Sequence, residues 1–182
     1  MNVFFTADHH FGHTNVIGFC DRPFGSVEEM DEELVRRWNE RVGPDDVVYH
    51  LGDFTLGGKA AALFNRLNGV IYVLGNHWHH DRRWLPKGFG WTPWPSASRW
   101  EVEIAPPLMV LWFGETPSVP VVLCHYPLAE WDRKRYGAWH LHGHSHGKHR
   151  GEGLIMDVGV DCTGFYPVSL EEVAEFMRGR AG

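Results

Sequence analysis

Cysteine is scarce in this 182-residue chain, which has only Cys20, Cys124 and Cys162. They form no CxxC pair and are odd in number, which argues against a disulfide framework and against a cysteine-rich zinc site. No apolar run approaches the roughly 18 residues of a membrane span. The first residues, Met1 to Ala7, lack the basic flank and long apolar stretch of a signal peptide. A cytoplasmic protein with no membrane partner is therefore expected. Basic charge is not in excess either. The formal net charge of -6 disfavours non-specific binding to nucleic-acid backbone, although it leaves room for a local basic patch. There is no internal repeat, low-complexity tract or linker. The length suits a single domain over residues 1–182, large enough to bury a core.

Two residue types are abundant and clustered: the chain has 13 histidines and 9 tryptophans. Histidine is densest in Trp139-His140-Leu141-His142-Gly143-His144-Ser145-His146-Gly147-Lys148-His149. Alternate side chains share one face of a strand, so His140 and His142 are expected on one face, with Gly143 allowing a sharp turn behind them. His144 and His146 then stand at the strand exit with ring nitrogens free to converge, and imidazole is the commonest metal ligand among side chains. Five tryptophans, Trp78, Trp84, Trp91, Trp94 and Trp100, sit among Arg82, Arg83 and Lys87. Packing of a loop-rich edge or a subunit contact explains them better than stacking on a nucleobase.

Read in order, residues 2–7 form a short buried strand ending at Asp8-His9-His10. A helix is expected from Ser26 to Val42, with Ser26 and Glu29 as a capping box and Val27, Met30, Leu34, Trp38 and Val42 on one face. Residues 46–51 give a strand that runs into Gly52-Asp53. A second helix carries Ala60, Leu63, Phe64 and Leu67, and residues 69–74 form a strand that runs into Gly75-Asn76-His77. Strand–helix–strand units in succession predict parallel strands, whose C-terminal edge is where ligands bind in open α/β sheets. Residues 99–105, 108–114 and 119–125 read as further strands, then the histidine-rich stretch and 154–160. Ser169 and Glu172 cap a last helix bearing Leu170, Val173, Ala174 and Met177. The fold class expected is α/β: two sheets packed face to face with helices outside.

The polar residues at these strand ends are Asp8-x-His10, Gly52-Asp53, Gly75-Asn76-His77, His125 and Gly143-His144-x-His146. Their order resembles the calcineurin-like metallophosphoesterases over about residues 1–165. Asp8-His9-His10-Phe11-Gly12-His13 and the Arg22-Pro23-Phe24 after it look most like the small bacterial and phage members. Singly, Asp53 could cap a turn and His125 could be a core histidine; seven such residues at strand ends point together to chemistry.

The resemblance implies a four-layer α/β/β/α sandwich of two mixed sheets. It also implies two divalent transition-metal ions, with Asp8, His10 and His146 holding one, Asn76, His125 and His144 the other, and Asp53 bridging them. Manganese is the first choice for this mixed donor set, with iron, zinc or nickel as alternatives. In such a site a water activated between the ions attacks phosphorus in line, and His77 protonates the leaving oxygen. The chain departs from the family at position 78, where Trp78 replaces the usual acidic residue; Asp81 is the nearest substitute partner for His77.

His13 is a candidate for a phosphate oxygen. Arg133, in Trp131-Asp132-Arg133-Lys134-Arg135-Tyr136, is a candidate for supplying positive charge to substrate, although a solvated loop accounts for most of those charges. His9, His50, His79, His80, His140, His142 and His149 are expected in support or at the surface. The function implied is a phosphoesterase acting on a phosphate ester, such as a nucleotide or short nucleic acid. Likeness to the small members favours a diester, while the ligands themselves suit a monoester equally. The alternative from another class is a scaffold protein of the same fold, and the full ligand set argues against it.

Overall fold

A computed structural model describes residues 1–55, 60–74, 102–105, 107–114, 118–149 and 151–181. Its strands are β1 (Val3–Thr6), β2 (Val47–His50), β3 (Val70–Leu74), β4 (Val102–Ala105), β5 (Leu108–Phe113), β6 (Val119–Cys124), β7 (Trp139–His142), β8 (Ile155–Asp157) and β9 (Val168–Ser169). The α-helices among the described residues are α1 (Thr14–Phe19), α2 (Val27–Arg41), α3 (Ala60–Phe64) and α4 (Leu170–Arg180). One sheet has the order β4-β3-β2-β1-β9, the other β5-β6-β7-β8. In the first, β1 to β4 are parallel and β9 runs antiparallel beside β1. In the second, β6, β7 and β8 are parallel and β5 is antiparallel. The chain is thus an α/β sandwich of two mixed sheets, and no helix among the described residues is long and apolar enough to cross a membrane.

Alternation along the strands separates two cores. Phe4, Val48, Ile71 and Val73 face α2 and α3, meeting Met30, Leu34, Val35, Trp38, Leu63, Phe64 and Leu67. Each large side chain buried there stabilises the fold by about 1.5–3 kcal/mol. Phe5, Ala7, Leu51 and Leu74 point the other way, against Val121, Leu123 and Leu141 of the second sheet. Helix α4 packs on β1, β8 and β9, so it bridges edge strands of both sheets, and its Val173 and Met177 join this inter-sheet core. On the outer face of the second sheet, Val122, Ala138 and Ile155 are covered by Trp131. The cover there is a loop with the 3-10 turn Lys134–Tyr136, in a segment that the sequence reads as a loop.

The helix ends differ in one respect from the sequence expectation. At Ser169 the capping box is complete. At Ser26 only half of it forms: the Glu29 N–H donates to Ser26 Oγ at 3.1 Å, while Glu29 Oε2 accepts from the Gly25 N–H, one residue before the cap. Helix α1 and strand β9 were not expected, being six and two residues long. The strand expected over 154–160 stops at Asp157 and turns into a 3-10 helix at Val160–Cys162.

Candidate metal centre

The backbone brings the strand ends together before any side chain takes part. Past β1 and β2, Asp8 N–H donates to Gly52 O at 3.0 Å and His10 N–H to Asp53 O at 2.9 Å. Past β6 and β7, Gly143 N–H donates to His125 O at 3.0 Å. The two pairs meet where His144 N–H donates to Asp8 Oδ2 at 2.8 Å and where Ala7 bridges Gly159. This close approach explains two glycines. A Cβ at Gly143 would lie 2.5 Å from Ala7 Cβ and 2.7 Å from Asp8 Oδ2, and one at Gly159 would lie 2.5 Å from the same oxygen. Gly143 is absent from the residues of positive φ, so it serves by lacking a side chain; the sharp turn expected of it is made by its neighbours.

Those neighbours are strained. Asp8, His10, Asp53, His144 and His146 all have φ between 46° and 65°. They are five of the eight non-glycine residues of positive φ among the described residues. Side chains disfavour this region, and such strain collects where function requires it.

Two groups of ligand atoms result, Asp8–His10–His146 and Asp53–His125–His144, the atoms of each lying within 4.8 Å of one another. Asp53 Oδ2 is 3.5 Å from His10 Nε2 and 3.5 Å from His125 Nε2, so Asp53 stands between the groups. His125 Nε2 and His144 Nδ1 are 3.2 Å apart. Asn76 and His77 lie outside the described residues, as do Trp78, His79, His80, Asp81 and the tryptophan-rich stretch.

The electrostatics suit cation binding. Asp8 is fully buried, and burial pushes its carboxyl up to about 7, with His125 and His146 pulling the other way. Burial lowers His10 to about 3, despite the opposing pull of Asp53, so its ring is neutral at pH 7 and offers a lone pair. Asp8 Oδ1, both ring nitrogens of His10 and His125 Nδ1 are buried without a hydrogen-bond partner. Buried polar atoms left so are costly, and a metal ion would satisfy Asp8 Oδ1 and one ring nitrogen of His10; the donor set fits a borderline divalent ion.

Around the ligands are supports that strand-end reasoning did not pick out. His146 Nδ1 is 2.6 Å from Asp161 Oδ2, and this contact raises the imidazole's pKa above its ordinary value. Arg22 holds the same carboxylate with Nε and NH2, both at 2.8 Å, and donates to the carbonyls of Asp8 and His9. Asp157 accepts from Ser145 Oγ, Gly147 N and Gly159 N, fixing the turn that carries His144 and His146. The signal available was Asp157-x-Gly159-x-Asp161, polar alternation just past an apolar strand. A third group, Cys20–His146–Asp161, has its carboxylate already engaged by the guanidinium, so it orients His146.

The remaining described histidines lie in support of the site or at the surface. His9 and His50 form a buried pair, Nδ1 to Nε2 at 2.9 Å, and His50 Nδ1 accepts from the Gly52 N–H. His140 Nδ1 faces Val122 O at 3.0 Å and its Nε2 accepts from Leu128 N–H at 3.0 Å, pinning the loop to the sheet. His142 is buried against Gly143 O, and His149 is exposed. His13 joins the site's edge, its ring 5.5 Å from that of His10. Arg133 does not join it. Its guanidinium lies over Trp112, which pairs with Pro120, about 16 Å along β6 from His125 by strand rise. The loop between β6 and β7 carries Arg133 toward the end of β6 opposite His125.

No protein-family model matches the sequence. A protein of unknown function from Aquifex aeolicus has a similar fold, with TM-score 0.63 and 16% identity over 96% of this chain and 98% of its own. An uncharacterized protein of Methanocaldococcus jannaschii is 29% identical over 96% of this chain and 90% of the archaeal one. The gene 66 protein of Mycobacterium phage L5 is 28% identical over 97% of this chain and 94% of its own. That of Mycobacterium phage D29 is 33% identical over 81% of this chain and 79% of its own, and the chain belongs to the family of this phage gene 66 protein.

Proposed function

We propose that the chain is a metal-dependent phosphoesterase of the calcineurin-like metallophosphoesterase fold, holding two divalent ions and favouring diesters. The observation that carries this reading is the pair of ligand groups sharing Asp53. Asp8, His10 and His146 hold one ion, and His125, His144 and Asn76 the other. Asp53 offers a carboxylate to both. Bound there, the ions supply a nucleophilic water at neutral pH and neutralise charge on the phosphoryl oxygens. The protein's part is orientation. Burial keeps His10 unprotonated, Asp161 fixes which nitrogen of His146 faces the site, and His13 stands at the edge to meet a phosphate oxygen. His77 protonates the leaving oxygen.

Hydrolysis of a bis-aryl and a mono-aryl phosphate, by metal-stripped protein refilled with Mn, Zn, Ni or Mg, tests the reading. Turnover of the bis-aryl ester with at least one ion is expected. Faster turnover of the mono-aryl ester would make it a phosphatase, and none with any ion would leave a scaffold protein.

A further inference from the structure

We infer that Arg22 and Asp161 are positioning residues that set the ion affinity of the Asp8–His10–His146 group separately from that of the Asp53–His125–His144 group. This rests on the two-ion reading above and extends it to residues that touch neither ion.

Arg22 reaches the site from the loop after α1, yet its side chain is completely buried. Nε and NH2 grip both oxygens of Asp161, NH2 also donates to Asp8 O at 2.7 Å, and NH1 donates to His9 O at 3.0 Å and approaches Met30 Sδ at 3.4 Å. Every nitrogen of the fork is engaged, a geometry that the point charge of lysine cannot reproduce. The grip acts on two ligands at once. Through the carbonyl of Asp8 it holds the backbone of a residue at φ 61°, and through Asp161 Oδ2 it holds the ring of His146, itself at φ 46°. With Nδ1 committed to Asp161, His146 presents Nε2 as its free ligand atom. None of these contacts reaches His125, His144 or Asp53, so the other group is unsupported by the clamp.

A bidentate pair here could also serve only to fasten α2 and the 3-10 turn at Val160–Cys162 to the sheet. The two roles separate by measurement. Removing a carboxylate that orients a metal-bound histidine typically costs 10–100-fold in ion affinity, and a fastening role leaves the ratio between the two sites unchanged.

The test is Mn(II) titration of metal-free wild type, Asp161→Asn and Arg22→Lys, following free ion and the electron paramagnetic resonance of bound ion, with thermal unfolding as a control. Wild type is expected to take two ions with a spin-coupled signal. Asp161→Asn should keep one ion at wild-type affinity and bind the other 10–100-fold more weakly, showing the uncoupled signal of single Mn(II) at intermediate concentrations. Arg22→Lys should shift the same ion in the same direction; if it fails to fold, Asp161→Asn alone decides. Folded Asp161→Asn that binds both ions as wild type does, or weakens both equally, overturns the inference and leaves the two-ion reading standing. Wild type that takes up one ion or none overturns the two-ion reading and the inference with it.

Discussion

Asparagine at position 8 should make the metal-free protein more stable while removing one of its ions. Asp8 is fully buried, and burial lifts its carboxyl from 3.8 to about 7. The unfolded chain gives up this proton near pH 4, the folded one near pH 7. Between these values the folded state binds more protons, so raising the pH costs the metal-free protein stability, and the loss is complete above about pH 7. About 3 units at 1.36 kcal/mol each make that loss up to about 4 kcal/mol. Asparagine carries no charge and keeps an acceptor for the His144 N–H, so Asp8→Asn should recover about 2–4 kcal/mol at pH 8. That corresponds to roughly 5–15 °C in unfolding temperature for a chain of this size. At pH 5 the gain should shrink to about 1.5 kcal/mol, because the folded wild type is by then protonated. Urea unfolding of chelator-treated wild type and variant at the two pH values reads this directly. Mn(II) at about 1,000 times its dissociation constant should offset or reverse the order, since it adds about 4.1 kcal/mol to the protein that binds it. A variant no more stable than wild type at pH 8, or a gain equal at pH 5 and pH 8, would refute the account of Asp8 as a buried charge awaiting a cation.

Three further outcomes are expected. Asp53→Asn should weaken both ions, unlike Asp8→Asn, because Asp53 Oδ2 stands 3.5 Å from a histidine of each group; ion counting by mass spectrometry checks it, and loss of one ion alone would contradict the shared role. Gly143→Ala should displace the Asp8 carboxylate and cost about 1–3 kcal/mol by overpacking, whereas Gly18→Ala, in α1 with open space around it, should gain about 0.5–1 kcal/mol; unfolding midpoints of the two compare them. Burial lowers His140 to about 4, so the folded protein resists its protonation. Its contribution is intact above pH 6.5 and lost as the pH falls toward 4, about 3 kcal/mol in all. His140→Gln should flatten that acid limb of stability against pH by about one proton, and an unchanged slope would remove His140 as its source.

What the sequence revealed follows from how local each signal is. Asp8, His10, Asp53, His125, His144 and His146 were legible because each ends a short apolar strand, and strand ends in such sheets converge. Arg22 was not, although its Arg-Pro-Phe setting stood out, because its partner Asp161 is 139 residues away and only the fold joins them. Helix α1 has one buried residue, Val16, and too few turns to show a period. Strand β9 exists only through its pairing with β1. Gly143 was noticed for the wrong reason, since the pressure on it comes from Asp8 across the sandwich. Arg133 was singled out for its positive charge, and charge alone does not say where a loop will place it, here over Trp112.

The distribution of cost in this fold argues for the site independently of any likeness. Five of the six ligand residues described sit in a backbone region that costs each roughly 1–2 kcal/mol, and the atoms they present include buried acceptors with nothing to accept from. Packing does not require this. The cores on either side of the first sheet are apolar, and residues of ordinary conformation would close the strand ends without the left-handed cost. A sequence shaped by folding alone would shed these features one at a time, each loss being stabilising, as Asp8→Asn is expected to demonstrate. Their joint presence at a single edge, where two sheets converge, is a cost that the proposed pair of ions would offset. The unsatisfied carboxylate oxygen and imidazole nitrogens are donors that suit a borderline divalent cation, as the two-ion proposal requires.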